Sequence, residues 1–157
     1  KTYDTNLKVN PPIRGEKDMA ALKKALASGI IDVIATDHAP HAWEEKALEF
    51  DYAPSGLIGL ETALGVVSTE LVHKKVLSWL DTIRLMTINP ARILKLNAGS
   101  FGVDSPADIT LIDPDHEWTF AATDIKSLSK NSPFVGKKFI GRAVKTIVAG
   151  KIVYELK

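Results

Sequence analysis

Ile30-Ile31-Asp32-Val33-Ile34-Ala35-Thr36-Asp37-His38-Ala39-Pro40-His41 is the stretch whose reading decides the fold. Its first six residues are apolar for the most part and rich in β-branched side chains. That is the pattern of a short strand buried in a parallel sheet. The run ends at Thr36, and a carboxylate and two imidazoles follow within five residues. In parallel α/β proteins, the loops at the carboxyl ends of the strands build the active site. A strand at 30–35 therefore predicts that Asp37, His38 and His41 stand at a reaction cavity. The blander reading makes Asp37 a turn cap and the histidines surface residues. The strand-end position and the second histidine count against it.

The flanking sequence extends the pattern. Lys1 to Gly15 is polar, and Pro11-Pro12 forbids helix there. Glu16 to Ser28 reads as an amphipathic helix with Met19, Leu22 and Leu26 on its apolar face, and Gly29 is a plausible stop. A long loop with Pro40, Pro54 and Gly56 runs from Ala39 to about Ile58. Helices are expected over Gly59 to Val72 and Ser78 to Thr87. A third is expected from Asn89-Pro90, with Asn89 as its N-cap. The sequence changes character near Gly99. Strands are predicted at Ala107 to Ile112, Glu117 to Phe120, Ala143 to Ala149 and Lys151 to Leu156, the last two across a tight turn at Gly150. The fold class is thus α/β: part of a barrel over residues 1–98, then strands of a small β domain over 99–157. No internal repeat or low-complexity segment interrupts this.

Composition narrows the chemistry. The 157 residues suffice for one ordinary domain with a real core. Lys plus Arg number 20 against 19 Asp plus Glu, so neither nucleic acid nor an anionic membrane is expected as a partner. No apolar run approaches the ~18–20 residues of a membrane span. The chain has no cysteine, so any metal would take His or carboxylate ligands. Cytoplasmic location is the expectation that goes with this. Lys1 opens directly on a turn-rich segment, with no signal peptide, and suggests a processed or truncated start.

Two further segments carry candidate residues. In Lys8-Val9-Asn10-Pro11-Pro12-Ile13-Arg14 the prolines stiffen the backbone around Asn10, whose amide both donates and accepts. Arg14 could meet a carboxylate ligand, but a structural ion pair is its expected role. In Pro54-Ser55-Gly56-Leu57-Ile58-Gly59-Leu60-Glu61-Thr62 the glycines let backbone approach a ligand closely. Read alone, this last segment is a glycine-rich approach to a helix.

Together and in this order, KVNPPIR, TDHAPH and SGLIGLET resemble the dihydroorotases of the amidohydrolase superfamily. NPARIL and PADITLID resemble that superfamily's last helix and β domain, so the likeness runs along essentially the whole chain. It implies a TIM-like (β/α)8 barrel followed by a small β-sandwich, and a metal centre, zinc, binuclear in the complete enzyme. The implied reaction is the reversible cyclisation of N-carbamoyl-L-aspartate to L-dihydroorotate in pyrimidine biosynthesis. By the same resemblance Asp37 binds metal and carries a proton between the attacking hydroxide and the leaving nitrogen. Asn10 and His41 hold the substrate carboxylate, and the backbone at Ser55 and Gly56 meets the ring. Ser55 departs from the larger apolar residue expected there. His38 is expected to support the loop rather than to act. His73 and His116 lack a ligand-like context. The remaining metal ligands lie outside this chain, so the piece alone is expected to be inactive. The resemblance also implies a homo-oligomer, with aspartate transcarbamoylase as a candidate partner. The competing readings are an allantoinase or hydantoinase, and a non-catalytic dihydroorotase-like partner of aspartate transcarbamoylase.

Overall fold

The structure, a computed structural model, describes residues 3–156. Five α-helices and three strands follow in order: α1 Glu16–Ala27, α2 Trp43–Lys46, α3 Ala63–Val67, α4 Trp79–Met86, α5 Ile88–Ile93, β1 Ile109–Thr119, β2 Lys138–Val148 and β3 Lys151–Glu155. Short 3₁₀ turns sit at Thr5–Leu7 and Ala122–Asp124, and α3 runs on into a π-helical segment, Ser68–Val72. The chain divides into two compact units. One comprises residues up to 20, 36–63 and 119–138; the other comprises 21–35, 64–118 and 139 onward.

The second unit holds the sheet, in the order β1-β2-β3. β2 and β3 pair antiparallel, with Val148 opposite Lys151 and Lys145 opposite Glu155. The turn between them is Ala149-Gly150, with φ of 48° and 76°. Two positive φ angles match the twist of a tight hairpin, so the predicted tight turn is present at the predicted place. Lys145 and Glu155 face each other as an ion pair at 2.6 Å. The sheet packs on helix through small residues. A Cβ at Gly65 would stand 2.9 Å from the Trp118 ring and 3.1 Å from that of Phe139. The indole N–H of Trp118 donates to the Gly141 carbonyl at 3.1 Å, and the Arg142 guanidinium lies 4.5 Å from its ring centre. Val67, Leu71, Leu85, Ala91 and Phe139 are buried in this unit. In the first unit the fully buried apolar side chains are Phe120 and Ile58.

Several expectations need correction. Residues 30–35 form no strand. A strand exists by its ladder, and none of the three strands pairs with this run. Instead the Ile34 N–H donates to the Leu85 carbonyl at 3.0 Å. Asn89 caps nothing: α5 begins at Ile88 with Thr87 in the cap position, and the Asn89 amide donates to the Asp32 carbonyl at 3.0 Å. The two strands expected at 107–112 and 117–120 are one continuous strand, β1. Helix α1 forms as predicted, but it buries none of its residues, and Met19 and Leu22 are exposed. No helix of the described residues is long and apolar enough to cross a membrane.

Candidate active site

The candidate residues all lie in the first unit; those at 37–41 and 55–56 lie on two loops that meet, and Asn10 lies on a third segment. The Ala39 N–H donates to the Leu57 carbonyl at 2.9 Å. Glycine permits this approach. A Cβ at Gly59 would stand 2.0 Å from Thr36 Oγ1 and 2.5 Å from the Asp37 carbonyl.

The His41 ring reaches the second loop. Its Nε2 lies 3.1 Å from the Ser55 carbonyl. A carbonyl only accepts, so Nε2 carries a proton there. Its Nδ1 lies 3.7 Å from the Glu45 carboxylate, which also accepts from the Ala42 N–H at 3.1 Å. Gly56 is enclosed beside this ring. A Cβ there would meet Ala39 Cβ at 2.6 Å and His41 Nε2 at 3.0 Å, and its φ is +134°. Its N–H donates to the Lys8 carbonyl at 2.8 Å. Its carbonyl accepts from Lys46 Nζ at 3.0 Å and from Asn131 Nδ2 at 3.3 Å. The structure thus brings His41, Ser55 and Gly56 together.

Asp37 and Asn10 remain apart from that group, and both are exposed. Asp37 Oδ1 accepts the His38 N–H at 2.7 Å, which steers the carboxylate without burying it. Asn10 follows Lys8, the residue whose carbonyl holds Gly56, by two positions. Neither the Asp37 nor the Asn10 side chain bonds to His41, Ser55 or Gly56. His38 is part-buried, and its Nδ1 accepts from the Gly59 and Leu60 N–H groups at 3.3 and 3.4 Å. Arg14 makes its ion pair with Asp18 at 3.3 Å. His73 donates to the Pro114 carbonyl at 2.9 Å, and His116 lies 4.0 Å from Asp113.

Three residues that sequence reasoning passed over hold the loops. Lys46 is 7% exposed and donates to the Pro54 carbonyl at 2.9 Å as well as to Gly56. Burial, then the charge of Lys8, pulls its pKa below the ordinary 10.5, with Asp4 opposing. Asn131 is 5% exposed. Its Oδ1 accepts the His41 N–H at 3.2 Å, and its Nδ2 donates to the Ala39 carbonyl at 2.9 Å. Glu61 Oε1 accepts the N–H groups of Lys126 and Ser127, each at 3.1 Å. Burial pushes its carboxyl up, but bonds from backbone N–H groups of Glu61 itself, Ser127 and Lys126 outweigh this. The pKa falls below its ordinary 4.5. In sequence, Lys46 ends a Trp-Glu-Glu-Lys run that reads as a solvated face, and Asn131 sits in a polar turn.

The arrangement can bind and orient a polar ring, but by itself it does not fit a catalytic metal. Such a zinc takes about three protein ligands. Among the described residues no three His, Cys, Asp or Glu side chains converge.

Comparison with known proteins gives this geometry a family. The amidohydrolase family model matches residues 5–153. The chain belongs to the amidohydrolase family. This amidohydrolase chain is 50% identical to a dihydroorotase of Geotalea daltonii over 153 residues, covering 98% of the chain and 36% of that relative. It is 51% identical to a dihydroorotase of Endomicrobium trichonymphae over 157 residues, 99% of the chain and 37% of that relative. Among solved structures it superimposes on the L-hydantoinase (dihydropyrimidinase) from Arthrobacter aurescens with a TM-score of 0.92 and 33% identity, over 98% of this chain and 35% of that one. The α/β fold is therefore that of the amidohydrolase enzymes, a family of hydrolases that generally use a metal. The chain spans little more than a third of the length of the curated relatives that it matches.

Proposed function

We propose that the whole protein to which this chain belongs is a dihydroorotase, which interconverts N-carbamoyl-L-aspartate and L-dihydroorotate in pyrimidine biosynthesis. The observation that carries this reading is identity of 50% and 51% to dihydroorotases along nearly all of the chain. Identity to the hydantoinase is 33%, which favours dihydroorotate over hydantoins as substrate and does not favour an allantoinase or hydantoinase reading. In this reading, residues 1–98 belong to a (β/α)8 barrel and residues 99–157 to an appended β-sandwich. The run 30–35 gains its ladder from neighbouring barrel strands. The metal is a binuclear zinc centre to which this chain contributes Asp37. The protein works in the cytoplasm as a homo-oligomer, with aspartate transcarbamoylase as a candidate partner.

The roles follow from chemistry. In hydrolysis, the Asp37 carboxylate accepts the proton of the water that attacks the ring carbonyl. As the carbon–nitrogen bond breaks, it passes that proton to the departing nitrogen; cyclisation runs the steps backwards. Its exposed position suits this exchange, because a carboxylate locked in a buried ion pair could not give and take a proton freely. The substrate carries a carboxylate, and the Asn10 amide and His41 imidazole are its donors. The Gly56 N–H and C=O and the Ser55 C=O are already used within the protein, so the Ser55 N–H is left to meet the ring. The small side chain of Ser55 keeps that approach open.

The test uses the full-length protein with L-dihydroorotate, hydantoin and allantoin. Hydantoin and allantoin lack the substrate's carboxylate. A site built to bond that group discriminates by on the order of 10²-fold or more in kcat/KM. Equal or higher efficiency with hydantoin or allantoin would overturn the assignment.

A further inference from the structure

Asn131 makes more long-range bonds to the candidate site than any of the residues expected to act there, yet it touches none of the atoms that would meet a substrate. Its Oδ1 accepts from the His41 backbone, and its Nδ2 donates to the carbonyls of Ala39 and Gly56. Its own carbonyl accepts the Ile58 N–H at 3.1 Å. One buried side chain and its backbone thus join the loop that carries His41 to the loop that carries Ser55 and Gly56.

The geometry points to a role beyond holding the fold. We propose that Asn131 is a positioning residue for substrate binding, setting the register between the His41 ring and the Ser55 backbone. This rests on the dihydroorotase reading for the identity of the substrate, but not for the clamp itself. An amide is suited to the task because it offers an acceptor and two donors from one plane. Both Nδ2 contacts are to carbonyls, so a side chain without an N–H leaves one buried and one part-buried acceptor without this donor. Lys46 still reaches the Gly56 carbonyl, but among the described bonds nothing else holds the Ala39 carbonyl. Loss of the clamp therefore frees the His41 loop first, and the Ser55–Gly56 loop less.

A positioning role and a purely structural role predict different kinetics. If Asn131 sets loop register, its loss weakens substrate binding in correctly folded enzyme. If it only stabilises the fold, its loss lowers the amount of active enzyme and leaves KM unchanged. The experiment compares Asn131→Ala and Asn131→Asp in the full-length protein. The Asp variant keeps the size of the side chain and the acceptor for His41 while removing the donor, so it carries the test if the Ala variant does not fold. The expected result is a KM for L-dihydroorotate raised about tenfold or more, with kcat per folded molecule changed less than about threefold. KM within twofold of the parent in a folded variant would overturn the proposal. If the parent protein proves to act on another cyclic amide, the dihydroorotase reading fails, and the same comparison with that amide decides the role of Asn131. A second measurement needs no substrate. Hydrogen exchange at the His41 and Ile58 amides should quicken in a folded variant while the β2–β3 hairpin stays protected. Unchanged exchange at both amides would also overturn the proposal.

Discussion

The β2–β3 hairpin and the paired loops around His41 and Gly56 reach order by opposite routes. The hairpin is local. Its strands are joined by two residues, its ladder pairs neighbours in sequence, and every residue of β3 is exposed. The loops have almost no ladder. Long-range side-chain bonds hold them, from Lys8 to Phe50 and Asp51, from Lys46 to Gly56, and from Asn131 to Ala39 across 92 residues. A ladder spends its backbone groups on itself. A loop held by side chains from elsewhere can leave selected groups, such as the Asp37 carboxylate and the Asn10 amide, open to solvent. The first construction suits a scaffold, and the second suits a site.

The sharpest break between the two regions should come at Asp37. Asp37→Asn keeps an oxygen for the His38 N–H, so the loop should hold its shape. The amide cannot take up a proton from water. In the full-length protein, turnover should fall ~10²-fold or more in both directions, the usual worth of a positioned general base, while the melting temperature stays near that of the parent. Steady-state rates and a melting curve measured on the same preparation test this. Near-normal turnover in a folded variant would remove Asp37 from the mechanism.

The same substitution made in each region gives a second contrast. Gly56→Ala puts a Cβ 2.6 Å from Ala39 in a loop with φ of +134°, whereas Gly150→Ala has a φ of +76° and no atom within 4 Å of the new Cβ. Strain and overlap together should cost about 2–4 kcal/mol at Gly56, against about 1 kcal/mol at Gly150. Only the first should raise KM, because its Cβ also presses on the His41 ring, 3.0 Å from Nε2. Chemical denaturation paired with kinetics would show whether the loop is as tightly determined as its bonds suggest.

A smaller effect, confined to binding, is expected at the proposed carboxylate site. His41→Ala and Asn10→Ala should each lower kcat/KM about tenfold or more, since a bond to a charged group is worth roughly 1.5–3 kcal/mol. The two should differ in stability. His41 also bonds the Ser55 carbonyl, while the Asn10 side chain has no hydrogen bond among the described residues. Wild-type kinetics for dihydroorotate in both variants would exclude them from carboxylate binding.

The contrast between the two regions also explains what the sequence revealed. Helix α1 and the β2–β3 hairpin were legible because their signals are local: a helical period with Gly29 after it, and two β-rich runs about Ala149-Gly150. The run 30–35 was misleading because its composition fits a strand while its strandedness depends on neighbours that the described residues do not supply. At the site, Asp37, His41 and Asn10 stood out by residue type, by crowding and by resemblance to a family. Asn131, Lys46 and Glu61 did not. Lys46 and Asn131 sit in sequence typical of an ordinary polar surface, Glu61 sits in a segment read for its glycines, and for Asn131 and Glu61 the bonding partners lie 65–92 residues away. Only the folded chain shows that these polar side chains tie loops together.

Glu61 offers the mildest test of that last point, through pH. Its carboxylate accepts two backbone N–H groups from the 126–127 turn, and its folded pKa lies below the ordinary 4.5. A carboxyl with a lowered folded pKa binds fewer protons when folded than when unfolded. Its contribution to stability is therefore complete above the ordinary value and fades as pH falls through the lowered one. Glu61→Gln keeps an oxygen acceptor but removes the charge. The variant should melt slightly below the parent at pH 7, and the gap should close as the pH is lowered through 4.5 towards 3. Melting curves of both full-length proteins across that range give the answer. A gap that stays constant with pH would mean that the charge contributes nothing, and that Glu61 ties the 126–127 turn by hydrogen-bond geometry alone, as the uncharged Asn131 ties its loops.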